Sequence, residues 1–222
     1  MSHNNLEVML MPKATFLNLA QEKKDLITDA LIKHFATKPY HLVDISDVAK
    51  ECRVAKGSMY QYFENKKDMY FYTIEVAYER FLQLLTKMDM VHVNILDYYE
   101  NSLESVWNAM KDLRYEYMLL EMAFFSHDSP FKDEINEKFL KQSRDFLVEI
   151  IKYNQKQGFI RDDIDPLLIG IFLEGASFYM KKFIIEKALN ENNTTTFELD
   201  IDYFKDAISQ FIKLLKEGIA KK

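Results

Sequence analysis

The sequence predicts an all-α protein. Apolar residues recur at helical spacing through most of its length. Only 5 glycines and 4 prolines punctuate 222 residues, far too few for the frequent turns of a β-sandwich. A hydrophobic share of 48% with 29% charged residues belongs to an ordinary globular chain with a sizeable core.

The elements follow in order. Ile27, Leu31 and Phe35, with Leu26 and Ala30 beside them, mark a helix over 22–37 that Pro39 stops. Asp44 is placed to cap a short amphipathic helix carrying Ile45, Val48, Ala49 and Cys52, with Asp47 favouring the dipole in its first turn. A third helix is expected over about 55–61. Asn65 caps a fourth, which runs to about residue 88 with the stripe Tyr70, Ile74, Ala77, Phe81, Leu84 and Met88. Helices at about 93–111 and 114–125 follow. Residues 127–130 form a break, with Pro130 suited to a first helical position. A long helix then runs to Gln157 and is closed by Gly158. Asp165-Pro166 opens an apolar helix to about 188, and a last helix spans about 200–217.

The net charge is −6, yet the first 70 residues alone are close to neutral. Lys50, Arg53, Lys56, Lys66 and Lys67 form a local basic patch there, and such a patch suits a nucleic-acid partner. The single cysteine, Cys52, excludes a disulfide framework and a multi-thiolate metal site. No basic region precedes the short apolar stretch at 8–11, and the apolar run at 167–180 is interrupted by Glu174. Neither a signal peptide nor a membrane span is therefore expected, and the chain is placed in the cytoplasm.

Two short helices at 44–52 and 55–61, joined by a turn of about three residues, are helix-turn-helix geometry. Val54, Met59 and Phe63 fall on the inner face. Lys56, Ser58, Tyr60, Gln61 and Tyr62 fall outside it and suit phosphate and base-edge contacts, while Gly57 permits close backbone approach.

Residues 22–70 resemble the DNA-binding domain of the TetR family. The resemblance rests on Asp44, Val48 and Ala49, followed by Val54, Lys56, Gly57, Ser58, Met59, Tyr60, Tyr62, Phe63, Lys66 and Met69 at fixed spacing. It implies that Lys56 and Gln61 approach base edges and that Ser58, Tyr60, Tyr62 and Lys66 bind phosphates. Where the family usually carries glycine in the turn, Arg53 stands, and it could add a phosphate contact. Where the family usually caps the recognition helix with Ser or Thr, Ala55 stands. The implied organisation is a three-helix DNA-binding domain over 1–70 and a helical effector-binding and dimerisation domain over 71–222.

No catalytic constellation is visible, so neither an enzyme nor a bound cofactor or metal is expected. His34 reads as a packed core histidine, and the acidic pair Glu116 and Glu121 as surface or cap residues. The resemblance implies an effector pocket in the second domain. Its candidate residues are Trp107, Tyr117, Glu121, Phe124, Phe125, Phe172 and Phe178, with Glu121 and Glu174 as buried-polar candidates and with solvent or the dimer interface as the alternative for Glu174. Crowded aromatics and methionines predict an apolar or aromatic effector. Ile201, Phe204, Ile208, Phe211 and Leu215 repeat at alternating three- and four-residue spacing. With the small residues Gly170 and Gly175 they predict a four-helix homodimer interface. The expected function is a ligand-responsive repressor that binds a palindromic operator in double-stranded DNA. The rival is a helical small-molecule-binding or adaptor protein without DNA-binding activity, which the basic patch disfavours.

Overall fold

The computed structural model describes residues 12–85, 94–97, 108, 111–126, 128–192 and 202–219. It is all-α. The helices are α1 (Ala14–Leu17), α2 (Gln21–Thr37), α3 (Ile45–Glu51), α4 (Lys56–Tyr62), α5 (Lys66–Leu85), α6 (Arg114–Phe125), α7 (Lys132–Ile135), α8 (Lys141–Lys156), α9 (Pro166–Asn192) and α10 (Asp202–Ile219).

Locally encoded ends fall where expected. Lys38 is extended ahead of Pro39, so α2 stops at Thr37. Asp44 caps α3 by accepting a hydrogen bond from the Ser46 amide at 2.7 Å. At the start of α5, Asn65 Oδ1 accepts from the Asp68 amide at 2.9 Å, and Asp68 accepts in turn from the Glu64 amide at 3.1 Å. Asp165 accepts from the Leu167 amide at 2.7 Å, with Pro166 at the first position of α9.

The structure departs from the sequence reading at two places. Helix α1 has no counterpart in the periodicity. The long helix after residue 130 is not continuous: α7 begins at Lys132, Asn136–Leu140 form a π-helical turn, and α8 resumes at Lys141. Pro130 is not its first residue. Phe131 stands at the cap in a left-handed conformation, φ 58°. Its ring lies 5.4 Å from Tyr40 and 5.9 Å from Phe71, with the Lys67 ammonium 4.5 Å from its centre. Lys67 also pairs with Glu134 at 2.7 Å. These tertiary contacts hold a backbone shape that the isolated segment would avoid.

Packing divides the chain into two compact units, Met1–Leu84 with Leu113–Asn136, and Leu85–Asp112 with Glu137–Lys222. A cut at residue 70 instead falls inside α5, whose Met69, Tyr70, Ile74 and Ala77 are all buried. In the first unit, α2 buries Ile27, Leu31 and Phe35, and α6 packs along it with Leu119 fully buried. Each such side chain contributes about 1.5–3 kcal/mol of burial. In the second unit, Ile150, Ile151, Ile169, Leu173 and Leu215 form a core with Ile95 and Leu96. The fully buried Asn154 ties it together. Its amide donates to the Ile150 carbonyl, and its Oδ1 accepts from the Ile95 amide, both at 2.9 Å.

Candidate nucleic-acid interface

The joint between α3 and α4 is a helix C-terminus of a defined kind. The Arg53 amide donates to the Lys50 carbonyl at 3.1 Å, and the Val54 amide donates to Ala49 at 2.9 Å. This Schellman pairing requires a left-handed residue after the cap, and Arg53 supplies it at φ 53°. The end of α8 uses the same pairing: Gly158 donates to Gln155 and Phe159 to Asn154, both at 3.0 Å, with Gly158 at φ 78°. One site carries the residue that this geometry favours, and the other carries an arginine. A side chain in that region costs about 1–2 kcal/mol. Arg53→Gly is therefore expected to stabilise the protein by about 1 kcal/mol. Urea unfolding measures it, and an unchanged midpoint would mean that the turn stores no strain.

Neighbouring groups hold the joint in place. The Lys23 ammonium donates to the Cys52 carbonyl at 2.7 Å. Cys52 itself is buried, and burial pushes its thiol up to about 11, which suits a core residue rather than a nucleophile. Glu51 accepts from Lys33 at 2.8 Å and lies 3.0 Å from His34 Nε2. Hydrogen bonds from Lys33, then from His34, keep the Glu51 carboxyl below its ordinary range. His34 is buried, as its position predicts, and it also ties α2 to the end of α3.

Helix α4 buries Met59, and Phe63 is buried just past its end. Its N-cap, Ala55, offers no side-chain hydrogen bond. Arg53, Lys56, Gly57, Tyr60 and Gln61 are exposed, while Ser58, Tyr62 and Lys66 are half-buried. A Cβ at Gly57 would meet nothing within 4 Å, so the backbone there faces open space. Lys56 lies 3.8 Å from Asp44. Hydrogen bonding to Ser46, helped by the charges of Lys56 and Lys50, holds the Asp44 carboxyl below the usual carboxylate range. Lys66 is seated 4.7 Å from the centre of the Tyr40 ring, and burial pushes its ammonium down. All eight residues proposed from sequence thus lie on the joint, on α4 or at the start of α5. Sequence reasoning missed α1, which fastens the far end of α4.

The effector candidates divide differently. Tyr117, Glu121, Phe124 and Phe125 lie on α6 in the first unit, while Phe172 and Phe178 lie on α9 in the second. Tyr117 is buried, its hydroxyl donating to Glu121 at 3.4 Å. Burial first, then the Glu121 charge, drives the phenol well above its ordinary range. The Phe124 ring stands edge-on to Tyr78 at 6.2 Å and to Phe125 at 6.3 Å. Phe125 and Phe172 are exposed. Trp107 and the side chain of Phe178 lie outside the described residues.

The carboxylates need correction. Glu174 is half-exposed and pairs with Arg144 at 3.2 Å. Glu116, expected at the surface, is buried against Arg80 at 2.8 Å. Two interface candidates also turn inward. A Cβ at Gly170 would meet Ile151 of the same chain at 3.5 Å, and Leu215 is 1% exposed within its own core. Phe211 packs against that core, and Ile208 is half-buried. Gly175 faces open space. Ile201 and the side chain of Phe204 lie outside the described residues.

Two short helices set by a tight left-handed joint, with polar residues outward and a basic rim, define the helix-turn-helix class. Residues 27–73 match the family described as bacterial regulatory proteins, tetR family. The chain is 26% identical over 181 residues to the biofilm operon icaADBC HTH-type negative transcriptional regulator IcaR of Staphylococcus epidermidis, covering 79% of this chain and 96% of that protein. It is 34% identical over 92 residues to the HTH-type transcriptional regulator YuxN of Bacillus subtilis. That match covers 38% of this chain but only 32% of YuxN. A TetR family transcriptional regulator from Chloroflexus aurantiacus shares the fold with a TM-score of 0.70 at 23% identity, covering 96% of this chain and all of that one. Residues 27–73 thus carry the match to the tetR family, and over 79% of its length the chain is similar to an HTH-type transcriptional regulator.

Proposed function

We propose that this protein is a transcriptional regulator of the TetR family, a homodimeric repressor that binds a palindromic operator through α4 and is released by a small, mainly apolar molecule. The outward face of α4 carries the reading. Arg53, Lys56, Gly57, Ser58, Tyr60, Gln61, Tyr62 and Lys66 present cations, hydroxyls and an amide around an open backbone. Cations supply the salt-dependent attraction to phosphate, and amide and hydroxyl groups read base edges. Repression is supported by IcaR, whose own designation is that of a negative regulator.

The dimer is supported by α9. Leu168, Ile171, Phe172, Tyr179 and Phe183 recur at three, four and multiple-turn spacing on one face, and all are exposed. A continuous apolar face of this kind marks an interface. A second copy fits it by two-fold symmetry, and a two-fold dimer carries two recognition helices for two half-sites, which is the reading of a palindromic operator. This moves the interface from Gly170 and Leu215 to the outer face of α9, with Gly175 on the open side. Effector binding is supported by the aromatic and methionine content of α6, where Tyr117 and Glu121 add a polar anchor.

Lys56→Ala combined with Tyr60→Ala is expected to weaken binding to DNA from upstream of the gene about tenfold or more and to lower the salt slope by about one unit. Fluorescence anisotropy across a salt series measures both. Unchanged affinity and slope in the folded double variant would overturn the assignment of α4.

A further inference from the structure

An α-helix leaves its last four carbonyls without partners inside the helix, and a helix of seven residues has little stability of its own. The recognition helix α4 is such a helix, and its N-cap contributes no side-chain bond. Its C-terminal carbonyls are nonetheless all engaged. Met59 accepts from the Phe63 amide at 3.0 Å. The next three accept from α1 and the residue that precedes it: Tyr60 from the Lys13 ammonium at 3.1 Å, Gln61 from the Thr15 hydroxyl, and Tyr62 from the Lys13 amide at 2.8 Å. The Lys13 ammonium also meets Glu64 at 2.6 Å and places a cation at the negative end of the helix dipole. Phe16 anchors the segment. It is buried, with its ring 5.0 Å from Phe63 and 6.0 Å from Tyr62.

We propose that the Lys13–Thr15–Phe16 clasp is a positioning element of the DNA interface, fixing the pitch and end of α4 so that Tyr60, Gln61 and Tyr62 meet DNA in one arrangement. The clasp holds the main chain of the same three residues whose side chains are offered to DNA. An α4 that frays or tilts at this end would present them in several arrangements, and binding would then have to overcome the cost of ordering them. The inference rests on the assignment of α4 as the DNA-reading helix.

Thr15 gives the cleanest test because it carries no charge. Thr15→Val removes the hydroxyl and keeps the shape. In the free protein, amide exchange at Gln61, Tyr62 and Phe63 should accelerate. Affinity for a labelled duplex from upstream of the gene should fall about three- to tenfold, with the salt slope unchanged because no phosphate contact is lost. Thr15→Ser should restore both. A variant that is merely less stable would show a lower unfolding midpoint with full affinity in its folded fraction, and that result overturns the proposal. So does unchanged exchange at α4. Absence of DNA binding by the unaltered protein would overturn the assignment of α4 instead, and the clasp's role with it.

Discussion

Tyr179→Glu combined with Phe183→Glu is expected to convert the proposed dimer into monomers. The two rings are 70% and 66% exposed and lie one turn apart on α9, in line with Leu168, Ile171 and Phe172. Large aromatic side chains at the centre of an interface commonly contribute 2 kcal/mol or more each, so the paired loss should raise the dimer dissociation constant by about a thousandfold or more. Glutamates facing each other across a two-fold axis add repulsion. Both rings are largely exposed, so the far-ultraviolet spectrum and the unit's intrinsic packing should persist. Sedimentation at micromolar concentration decides the matter. A variant that remains dimeric would place the interface elsewhere, and operator affinity should fall with the loss of the dimer because each half-site then binds alone.

Arg80→Ala is expected to destabilise the first unit by about 3 kcal/mol. Arg80 on α5 donates to Asp29 on α2 at 2.7 Å and to Glu116 on α6 at 2.8 Å, so one guanidinium bridges three helices. Burial works against its charge, but hydrogen bonds with Glu116 and Asp29 outweigh that and raise its affinity for the proton. The asymmetry lies with the carboxylates. Asp29 is largely exposed and can return to water, whereas the Glu116 side chain is 11% exposed and would be left as a buried charge without a partner. Arg80→Met with Glu116→Leu removes both charges and should recover most of the loss. Denaturant unfolding of the single and double variants gives the coupling directly. A cost below about 1 kcal/mol for the single change would mean that Glu116 is effectively solvated.

Sequence reading succeeded where the signal is local. Asp44, Asn65, Gly158 and Asp165-Pro166 each define a helix end through their own bonding chemistry, and each does so in the structure. The eight α4-region candidates came together because they are neighbours in sequence. Failures arose where the outcome depends on distant partners. Glu116 is buried because Arg80 stands 36 residues away, and no periodicity announces that. Lys13 and Thr15 act on carbonyls 46 to 49 residues further along, through a segment too short to show a stripe. Leu215 belongs to a heptad-like seam, but the second unit needed that side chain for its own core. Phe131 is held in its left-handed conformation by rings from other elements, against local preference.

The left-handed arginine at position 53 also has a genetic consequence. Every arginine codon lies one base from a glycine codon, so the relaxed joint is a single transition or transversion away. Mutagenesis followed by heat challenge alone should enrich the glycine allele, because folding gains from it. Mutagenesis under a reporter for the proposed repression should retain arginine, because the exposed guanidinium proposed to contact the operator at the rim of α4 is lost with the change. The ratio of the two alleles under paired regimes then weighs foldability against operator grip at one residue in living cells.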